Sequence, residues 1–209
     1  MNHLVLLRHG ESVINAINRR QRVYCGQFET PLTERGREQA REAGKLLAAR
    51  TELRFAAVVC SCHQRSQETA ALAIAQLPYE VATLPPQGAL NERSLGEFEG
   101  RAETELITEF PRYWQDPAFS QFHNHLEQHA PRGENLLQVC DRAWPAIQRL
   151  LAEVPGDLLV VSHFNTIRCI VARALALPDE AILDLRIQNA QPIVFRRGAK
   201  LQLLDGTIS

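Results

Sequence analysis

The chain has 209 residues, of which 45% are hydrophobic and 22% charged, a composition typical of globular proteins and unlike that of disordered or fibrous chains. Its 23 basic and 24 acidic residues leave a net charge of −1, which argues against a dedicated nucleic-acid-binding protein. No segment approaches the roughly 20 apolar residues of a membrane span, and the first apolar run ends at Arg8, too early for a signal peptide.

The cysteines are scattered along the chain and odd in number, so they do not form a disulfide framework. They are Cys25, Cys60, Cys62, Cys140 and Cys169. We expect reduced thiols in a cytoplasmic protein that has neither nucleic acid nor a membrane as a partner.

Short apolar runs alternate with helical patterns along the chain. Strands are predicted at residues 4–7, 55–60, 80–84 and 157–161, and a closing hairpin at 193–196 and 200–204. Helices are predicted at 33–50, 65–77, 134–153 and 165–177. We expect Thr33 to cap the first helix, Pro78 to stop the second and Pro145 to kink or split the third.

Strands that alternate with helices predict an α/β fold with a mostly parallel sheet, here as one domain over residues 1–209. In such sheets, ligands bind beyond the carboxyl ends of the strands. Residues 110–132 do not follow the alternation, because they are rich in aromatic residues, histidine and proline. We expect an insertion at about residues 101–132 that forms a small cap over one end of the sheet. It is either a mobile cover over an active site or a packed excursion with no role in the chemistry.

Imidazoles and charged side chains stand where the predicted strands end. The set consists of Arg8, His9, Arg65, Glu92 and His163. Arginine offers a planar cation suited to phosphate or carboxylate, and the start of a helix next to Arg65 would add positive charge. Gly10 would let the backbone approach a ligand closely. The set suits an anionic group that is attacked by imidazole, with a carboxyl group nearby as the proton donor.

Residues 8–12, Arg-His-Gly-Glu-Ser, together with Asn15, resemble the signature of the histidine phosphatase superfamily, which contains cofactor-dependent phosphoglycerate mutase and fructose-2,6-bisphosphatase. Further segments match in order over nearly the whole chain: residues 25–26, 31–36, 61–70, 90–100, 133–135 and 162–165. Each match is weak alone, but the ordered set is specific. The resemblance implies a three-layer phosphoglycerate mutase-like fold, with a mostly parallel sheet flanked by helices.

The resemblance also implies roles. His9 would be the nucleophile that forms a phosphohistidine, and Glu92 the general acid and base. The other implied catalytic residues, Arg8, Arg65 and His163, would hold the phosphoryl oxygens. The implied substrate-binding residues are Arg8, Asn15, Cys25, Gly26, Arg65, Glu92, Phe164 and Asn165. Positive charge from Arg8 and Arg65 should keep His9 neutral before phosphate binds.

No metal and no cofactor are implied, because arginines supply the positive charge. The expected partner is a small phosphorylated metabolite, and a homodimer is suggested by the resemblance alone. Phosphoglycerate mutases of this family carry a long insertion before the last histidine motif, with basic residues that grip the substrate carboxylate. Here that segment is short and its arginines are isolated, which favours a metal-independent phosphatase acting on small phosphate monoesters.

Several alternatives stay open from the sequence. Residues 31–36 and 90–93 look mutase-like, so phosphoglycerate mutase-type phosphoryl transfer is the first alternative. A non-catalytic domain that binds phosphate ligands is the second, although it would normally lack His9 or Glu92.

Two further clusters of residues each allow more than one interpretation. Arg19, Arg20 and Arg22 would meet a second anionic group or form a solvated loop, and His123, His125 and His129 have a spacing that a metal site could use. Phe164 should narrow the pocket beside His163, and His3 and His63 are interpreted as structural.

Overall fold

The computed structural model describes residues 2–208. Across this range it has six strands and seven α-helices. The strands are β1 (His3–Arg8), β2 (Phe55–Cys60), β3 (Ala82–Thr83), β4 (Asp157–Ser162), β5 (Pro192–Arg196) and β6 (Gln202–Asp205). The helices are α1 (Val13–Ile17), α2 (Glu34–Ala48), α3 (Gln64–Ile74), α4 (Glu103–Glu109), α5 (Arg112–Gln115), α6 (Leu136–Glu153) and α7 (Phe164–Ala174).

The six strands form one sheet in the order β3-β2-β4-β1-β5-β6. The first four of these are parallel, and β5 and β6 add an antiparallel edge beside β1. The inner residues of β1 and β4, 4–7 and 158–161, are apolar and buried on both faces, as expected for central parallel strands. The predicted α/β class with a mostly parallel sheet is confirmed.

Alternate residues of β1 point to opposite faces of the sheet, and each face is covered by a pair of helices. Leu4 and Leu6 belong to a core cluster with α6 and α7. Val5 and Leu7 belong to a second cluster with α2 and α3. The result is the predicted three-layer arrangement, in which helices cover both sides of the sheet.

The ends of the elements differ from the prediction in ways that local chemistry explains. Thr33 caps α2 as expected, because its side-chain oxygen accepts a hydrogen bond from the backbone N–H of Gly36. Pro145 was predicted to kink or split the third helix; it does not split it, since α6 continues through it from Leu136 to Glu153, and a kink stays a prediction. The short helix α1 is absent from the prediction. It is stabilised by a capping box in which Ser12 and Asn15 bond to each other's backbone.

Residues 101–132 contain α4 and α5 and belong to a third apolar cluster. Its aromatic members Phe98, Tyr113 and Phe122 contact one another in edge-to-face pairs with ring centroids 5.1 to 5.7 Å apart. Most of the aromatic residues of the segment therefore pack against each other and against Tyr24 and Leu95. Its predicted role as a mobile cover stays a prediction.

No helix within residues 2–208 combines the length and the apolar character needed to cross a membrane. The cytoplasmic location and the homodimer stay predictions.

Candidate active site

A cavity of about 500 Å³ opens at the carboxyl ends of β1, β2 and β4. We call it the strand-end cavity. The predicted site residues that line it are Arg8, His9, Asn15, Cys25, Gly26, Arg65, Glu92, Phe164 and Asn165. His163 lies behind this wall, with its ring centroid 5.0 Å from that of His9. The fold therefore brings all ten predicted site residues together, although they come from segments far apart in sequence.

His9 directly follows β1 and is only 4% exposed. Its Nδ1 lies 2.7 Å from the carbonyl oxygen of Gly10. A carbonyl can only accept a hydrogen bond, so Nδ1 carries the proton and Nε2 keeps the lone pair of the neutral ring. Burial, followed by the charges of Arg65 and Arg8, holds the pKa of His9 well below 6.5. The ring is thus neutral at physiological pH, with a nucleophilic nitrogen, as the sequence predicted.

Gly10 allows a close approach between two backbone segments. A Cβ atom at Gly10 would stand 2.2 Å from the carbonyl oxygen of Gly36, at the start of α2. The reverse also holds, since a Cβ at Gly36 would stand 2.0 Å from the carbonyl oxygen of Glu11. Neither glycine has room for a Cβ atom where the two backbone segments meet, and the predicted approach of Gly10 to a ligand stays a prediction. The close approach of the two segments fixes the loop that carries His9 against α2.

Arg8 and Arg65 bring two cations to His9. Arg65 lies in the first turn of α3, is 1% exposed, and donates from Nη1 and Nη2 to the carbonyl oxygens of Phe28 and Gly26, both at 3.0 Å. Arg8 donates from Nη1 to the carbonyl oxygen of Ile187 at 2.7 Å. Burial lowers the pKa of Arg8 to about 10, so it remains charged at neutral pH.

Both guanidinium groups are held by neutral carbonyl acceptors and have further donors to offer. The Nε atoms of Arg8 and Arg65 are buried and have no hydrogen-bond partner within residues 2–208. The same is true of Nδ1 of His163. Buried polar atoms are nearly always paired, so three unpaired ones on residues that neighbour His9 call for a functional explanation.

His163 caps the start of α7 and is completely buried. Its Nε2 lies 2.7 Å from Oγ of Ser61, at the end of β2. With Ser61 as the donor in this bond, the proton of the neutral ring lies on Nδ1. Burial, followed by His9 and Arg65, holds the pKa of His163 well below 6.5. The ring centroids of His63 and His163 lie 5.1 Å apart, and Nδ1 of His63 bonds to Oε1 of Glu29 at 2.7 Å. His63 therefore packs against His163 and is itself held by Glu29.

Glu92 reaches the cavity from a loop. Its Oε1 accepts hydrogen bonds from the backbone N–H of Arg93 at 2.8 Å and of Asn165 at 3.2 Å. Its Oε2 has only the longer 3.4 Å contact to Asn165 and is the freer oxygen. The loop itself is fixed by Arg142, which donates to the carbonyl oxygen of Glu92 at 3.0 Å and pairs with Glu134 at 2.7 Å.

The remaining predicted residues form the walls. Gly26 has φ of +49°, a conformation that favours glycine, and its carbonyl oxygen is one of the acceptors of Arg65. Burial raises the pKa of the Cys25 thiol to about 11, so it is neutral. The Phe164 ring has the guanidinium carbons of Arg8 and Arg168 at 5.1 and 4.9 Å from its centroid. Phe164 is therefore a stacking surface for two arginines as well as a wall.

A family model of the histidine phosphatase superfamily (branch 1) matches residues 4–204. The chain belongs to the histidine phosphatase superfamily. It is an enzyme family whose members include both phosphatases and mutases, and the relatives of this chain carry both kinds of name.

A relative named 2,3-bisphosphoglycerate-dependent phosphoglycerate mutase 2, from Gloeobacter violaceus, is 30% identical over 99% of this chain and 88% of its own length. The structure of the alpha-ribazole phosphatase from Shigella flexneri is 28% identical, with a TM-score of 0.77, over 99% of this chain and 98% of that one. The structure of Bacillus stearothermophilus YhfR is 27% identical, with a TM-score of 0.81, over 100% of this chain and 98% of that one. These similarities confirm the fold of this histidine phosphatase superfamily member and leave phosphatase and mutase as alternatives.

Several residues at the cavity of this superfamily member were not singled out from the sequence as site residues. The cavity-lining ones include Tyr24, Arg93, His123, Asn124, Arg168 and Arg186. Only Arg168 had a readable signal, because it follows Asn165 by three residues and so shares its face of α7.

The predicted histidine cluster has other partners. His125 Nδ1 accepts from the backbone N–H groups of Glu127 and Gln128, each at 3.1 Å. His129 Nδ1 lies 2.9 Å from the carbonyl oxygen of Ala130. No group of three or more His, Cys, Asp or Glu side chains in residues 2–208 is placed to hold a metal ion.

Proposed function

We propose that this protein is a phosphatase that hydrolyses small phosphate monoesters through a phosphohistidine on His9, without a metal ion. The observation that carries the proposal is the group of buried donors without partners, namely Arg8 Nε, Arg65 Nε and His163 Nδ1. They belong to residues beside a neutral imidazole, since after burial Arg65 and Arg8 lower the pKa of His9, and the ring centroid of His163 lies 5.0 Å from that of His9. The His9 ring makes its hydrogen bond through Nδ1, which leaves Nε2 without a partner among the described residues. A phosphoryl group at Nε2 would supply the acceptor oxygens that these donors lack.

In the first half of the reaction, His9 Nε2 attacks phosphorus and the bond from phosphorus to the ester oxygen breaks. Glu92, in its carboxylic acid form, gives its proton to the departing alcohol oxygen. The two arginines hold the equatorial oxygens and stabilise their charge as it redistributes. The hydrogen bond from His9 Nδ1 to the Gly10 carbonyl stabilises the positive charge that the ring acquires.

In the second half, the Glu92 carboxylate takes a proton from a water molecule, whose oxygen attacks phosphorus. The bond between phosphorus and Nε2 breaks, inorganic phosphate leaves, and both His9 and Glu92 return to their starting forms. Division into two displacements replaces one slow hydrolysis by two faster steps. Positioning and fixed positive charge supply most of the catalysis that phosphoryl transfer needs.

Mutase-type transfer is the second candidate, favoured by the names of the curated relatives. The composition of residues 101–132 favours the phosphatase instead. Within the described part of residues 101–132, only His123 and Asn124 line the cavity. The arginines of that segment lie elsewhere, since Arg101 pairs with Glu109 and Arg132 pairs with Glu97. The segment thus gives the cavity no arginine with which to grip a phosphoglycerate.

The test is inorganic phosphate release from p-nitrophenyl phosphate and a panel of phosphorylated metabolites, with EDTA present. We expect release that is insensitive to EDTA, lost in His9→Ala, and kept in the control His129→Ala, whose side chain lies outside the cavity. Enzyme quenched in alkali should carry phosphate that is labile to acid, as phosphohistidine is. Parent-like turnover by His9→Ala would refute the mechanism, and isomerisation of 3-phosphoglycerate without phosphate release would establish the mutase.

A further inference from the structure

Nε2 of His163 contacts a pair of buried serine hydroxyls. Ser61 directly follows β2, Ser66 lies in the first turn of α3, and both are completely buried. Oγ of Ser61 lies 2.7 Å from Nε2 of His163 and 2.5 Å from Oγ of Ser66. Oγ of Ser66 lies in turn 2.9 Å from the carbonyl oxygen of His63, the residue before α3. We call this series, from the ring of His163 through the two hydroxyls to the carbonyl of His63, the hydroxyl chain.

The hydroxyl chain can hold its protons in two orders. Oγ of Ser61 has one proton and two lone pairs, and the backbone N–H of His63 occupies one lone pair at 3.3 Å. In the forward order, Ser66 donates to Ser61, which donates to Nε2 of His163, so the proton of the neutral ring lies on Nδ1. In the reversed order, Nε2–H donates to Ser61, Ser61 to Ser66, and Ser66 to the carbonyl of His63. Nδ1 then carries the lone pair of the ring.

Both orders leave the buried groups of the chain satisfied. In the forward order, the carbonyl of His63 keeps the backbone N–H groups of Ser66 and Gln67, at 3.0 and 3.2 Å. A hydroxyl can donate or accept, whereas a backbone N–H in the place of Ser61 would fix the ring in one tautomer. Nδ1 of His163 has no partner within residues 2–208, so this nitrogen is available to a bound group in either form. The hydroxyl chain therefore lets the same nitrogen donate a proton or accept one.

The charges around His163 decide when its ring takes up a second proton. The charged and titratable groups that face it are Arg8 and His9 from the end of β1, His63 and Arg65 from the start of α3, and Glu92 from its loop. Burial, and then the imidazoles and arginines of this set, lower the pKa of His163. The carboxylate of Glu92 accepts from backbone N–H groups. A second proton on the ring therefore requires negative charge from a bound group.

We propose that Ser66 is a positioning residue for His163, which, through the reversed hydroxyl chain, lets Nδ1 accept the proton of a monoanionic phosphoryl group. This proposal rests on the phosphatase function proposed above. The O–H bond of the phosphoryl group breaks, its electron pair stays on the oxygen, and the new N–H bond makes the ring an imidazolium. Ser61 accepts the other ring proton from Nε2 and donates its own to Ser66.

The product of this transfer is a dianionic phosphoryl group paired with a cation, and the departing inorganic phosphate takes the proton back. A dianionic ester needs no transfer, because the forward order already presents Nδ1–H to it. The hydroxyl chain thus lets one site accept both protonation states of a phosphate monoester.

The variant Ser66→Ala separates the two protonation states of the substrate. It leaves the forward donation from Ser61 to His163 intact, but in the reversed order the proton of Ser61 has no acceptor. For the most active alkyl phosphate of the panel, which loses its second proton near about pH 6, kcat/KM should fall mainly on the acid side. We expect the ratio of kcat/KM at about pH 5.5 to that at about pH 7.5 to be at least about tenfold lower than in the parent. A purely structural role would lower kcat/KM equally at both pH values, and this result would overturn the proposal.

Two further variants serve as controls. Ser66→Cys keeps a weak donor and acceptor at the same place, so its ratio should lie between those of Ser66→Ala and the parent. Thr30→Val removes another buried hydroxyl, whose partner is the backbone N–H of Ile14 at 3.3 Å, and should keep the parent ratio. Circular dichroism checks that each variant is folded.

Spectroscopy on the phosphate complex separates this proposal from the phosphatase function. In protein with isotope-labelled histidine, saturated with inorganic phosphate, the chemical shifts of the ring nitrogens distinguish imidazolium from each neutral tautomer, and His163→Gln assigns the resonances. The pKa of His163 in this complex should be at least about one pH unit higher in the parent than in Ser66→Ala. A ring that stays neutral at saturating phosphate, or equal pKa values in both proteins, would overturn the role of Ser66 even if esters are hydrolysed. The expected difference without hydrolysis of any ester would keep that role and overturn the phosphatase.

Discussion

Acidification should destabilise the folded protein through the two buried histidines of the site. His9 and His163 both have pKa values well below 6.5, first because of burial and then because of neighbouring cationic or imidazole groups. In the unfolded chain each ring takes up a proton near pH 6.5, whereas in the folded protein it does not. The unfolded state therefore binds more protons below pH 6.5, and the free energy of unfolding must fall as the pH falls.

The size of the effect follows from proton linkage. For a ring that stays neutral when folded, the loss of stability is RT ln(1 + 10^(6.5 − pH)), which grows by about 1 kcal/mol from about pH 6.5 to about pH 5.5. Two such histidines give about 2 kcal/mol. Glu134 does not contribute in this window, because its pKa is lowered by Arg142 against the effect of burial and its stabilising contribution disappears only as the pH falls below about 4.5.

Urea unfolding followed by circular dichroism at about pH 7.5, 6.5 and 5.5 measures the change. The parent should lose about 2 kcal/mol over the last unit, and His9→Gln only about half as much. The control His129→Gln, at an exposed side chain, should behave like the parent. A free energy of unfolding that is flat over this interval, or a pH dependence in His9→Gln equal to that of the parent, would refute the reasoning.

Three further predictions test the site. Glu92→Gln should slow p-nitrophenyl phosphate hydrolysis much less than hydrolysis of alkyl phosphates, because a good leaving group needs little protonation; an equal loss for both would exclude Glu92 as the acid. Arg65→Lys should lower kcat/KM about 100-fold, since an ammonium group cannot hold two carbonyl oxygens and still present a donor to phosphate; a loss below about threefold contradicts this role. Gly10→Ala should lower both Tm and activity, as its Cβ would lie 2.2 Å from the carbonyl oxygen of Gly36, whereas Gly88→Ala, with nothing within 4 Å, should leave both unchanged.

The sheet was predictable because its central strands have a distinctive sequence pattern. Each has a continuous apolar run, residues 4–7 in β1 and 158–161 in β4, and a histidine two residues after the run. This pattern predicts both a buried parallel strand and a ligand site at its end. β3 was predicted too long, since only Ala82 and Thr83 pair with β2. A strand at an edge has neighbours on one side only, so its length depends on pairing that the sequence pattern does not report.

The candidate site residues were predictable, whereas several residues that support them were not. His9 and His163 directly follow strands, and Glu92 belongs to the same ordered set of motifs. The contact between Ser61 and His163 depends on the pairing of distant strands. Arg93 reads as a surface residue beside a glutamate. Its burial depends on the carbonyl groups of the segment around Phe122, which folds back over it only in the tertiary structure.

The spacing of the two site histidines follows from the sheet itself. In the register of β1 and β4, Arg8 pairs with Ser162, so the next residues along are His9 and His163, and the backbone N–H of His9 still bonds to the carbonyl oxygen of Ser162 at 3.0 Å. Neighbouring strands lie roughly 4.8 Å apart, and the two imidazole centroids lie 5.0 Å apart. The hydrogen-bond ladder between β1 and β4 thus sets the distance between the two site histidines. The loops around the cavity can change in sequence while this distance stays set by the backbone.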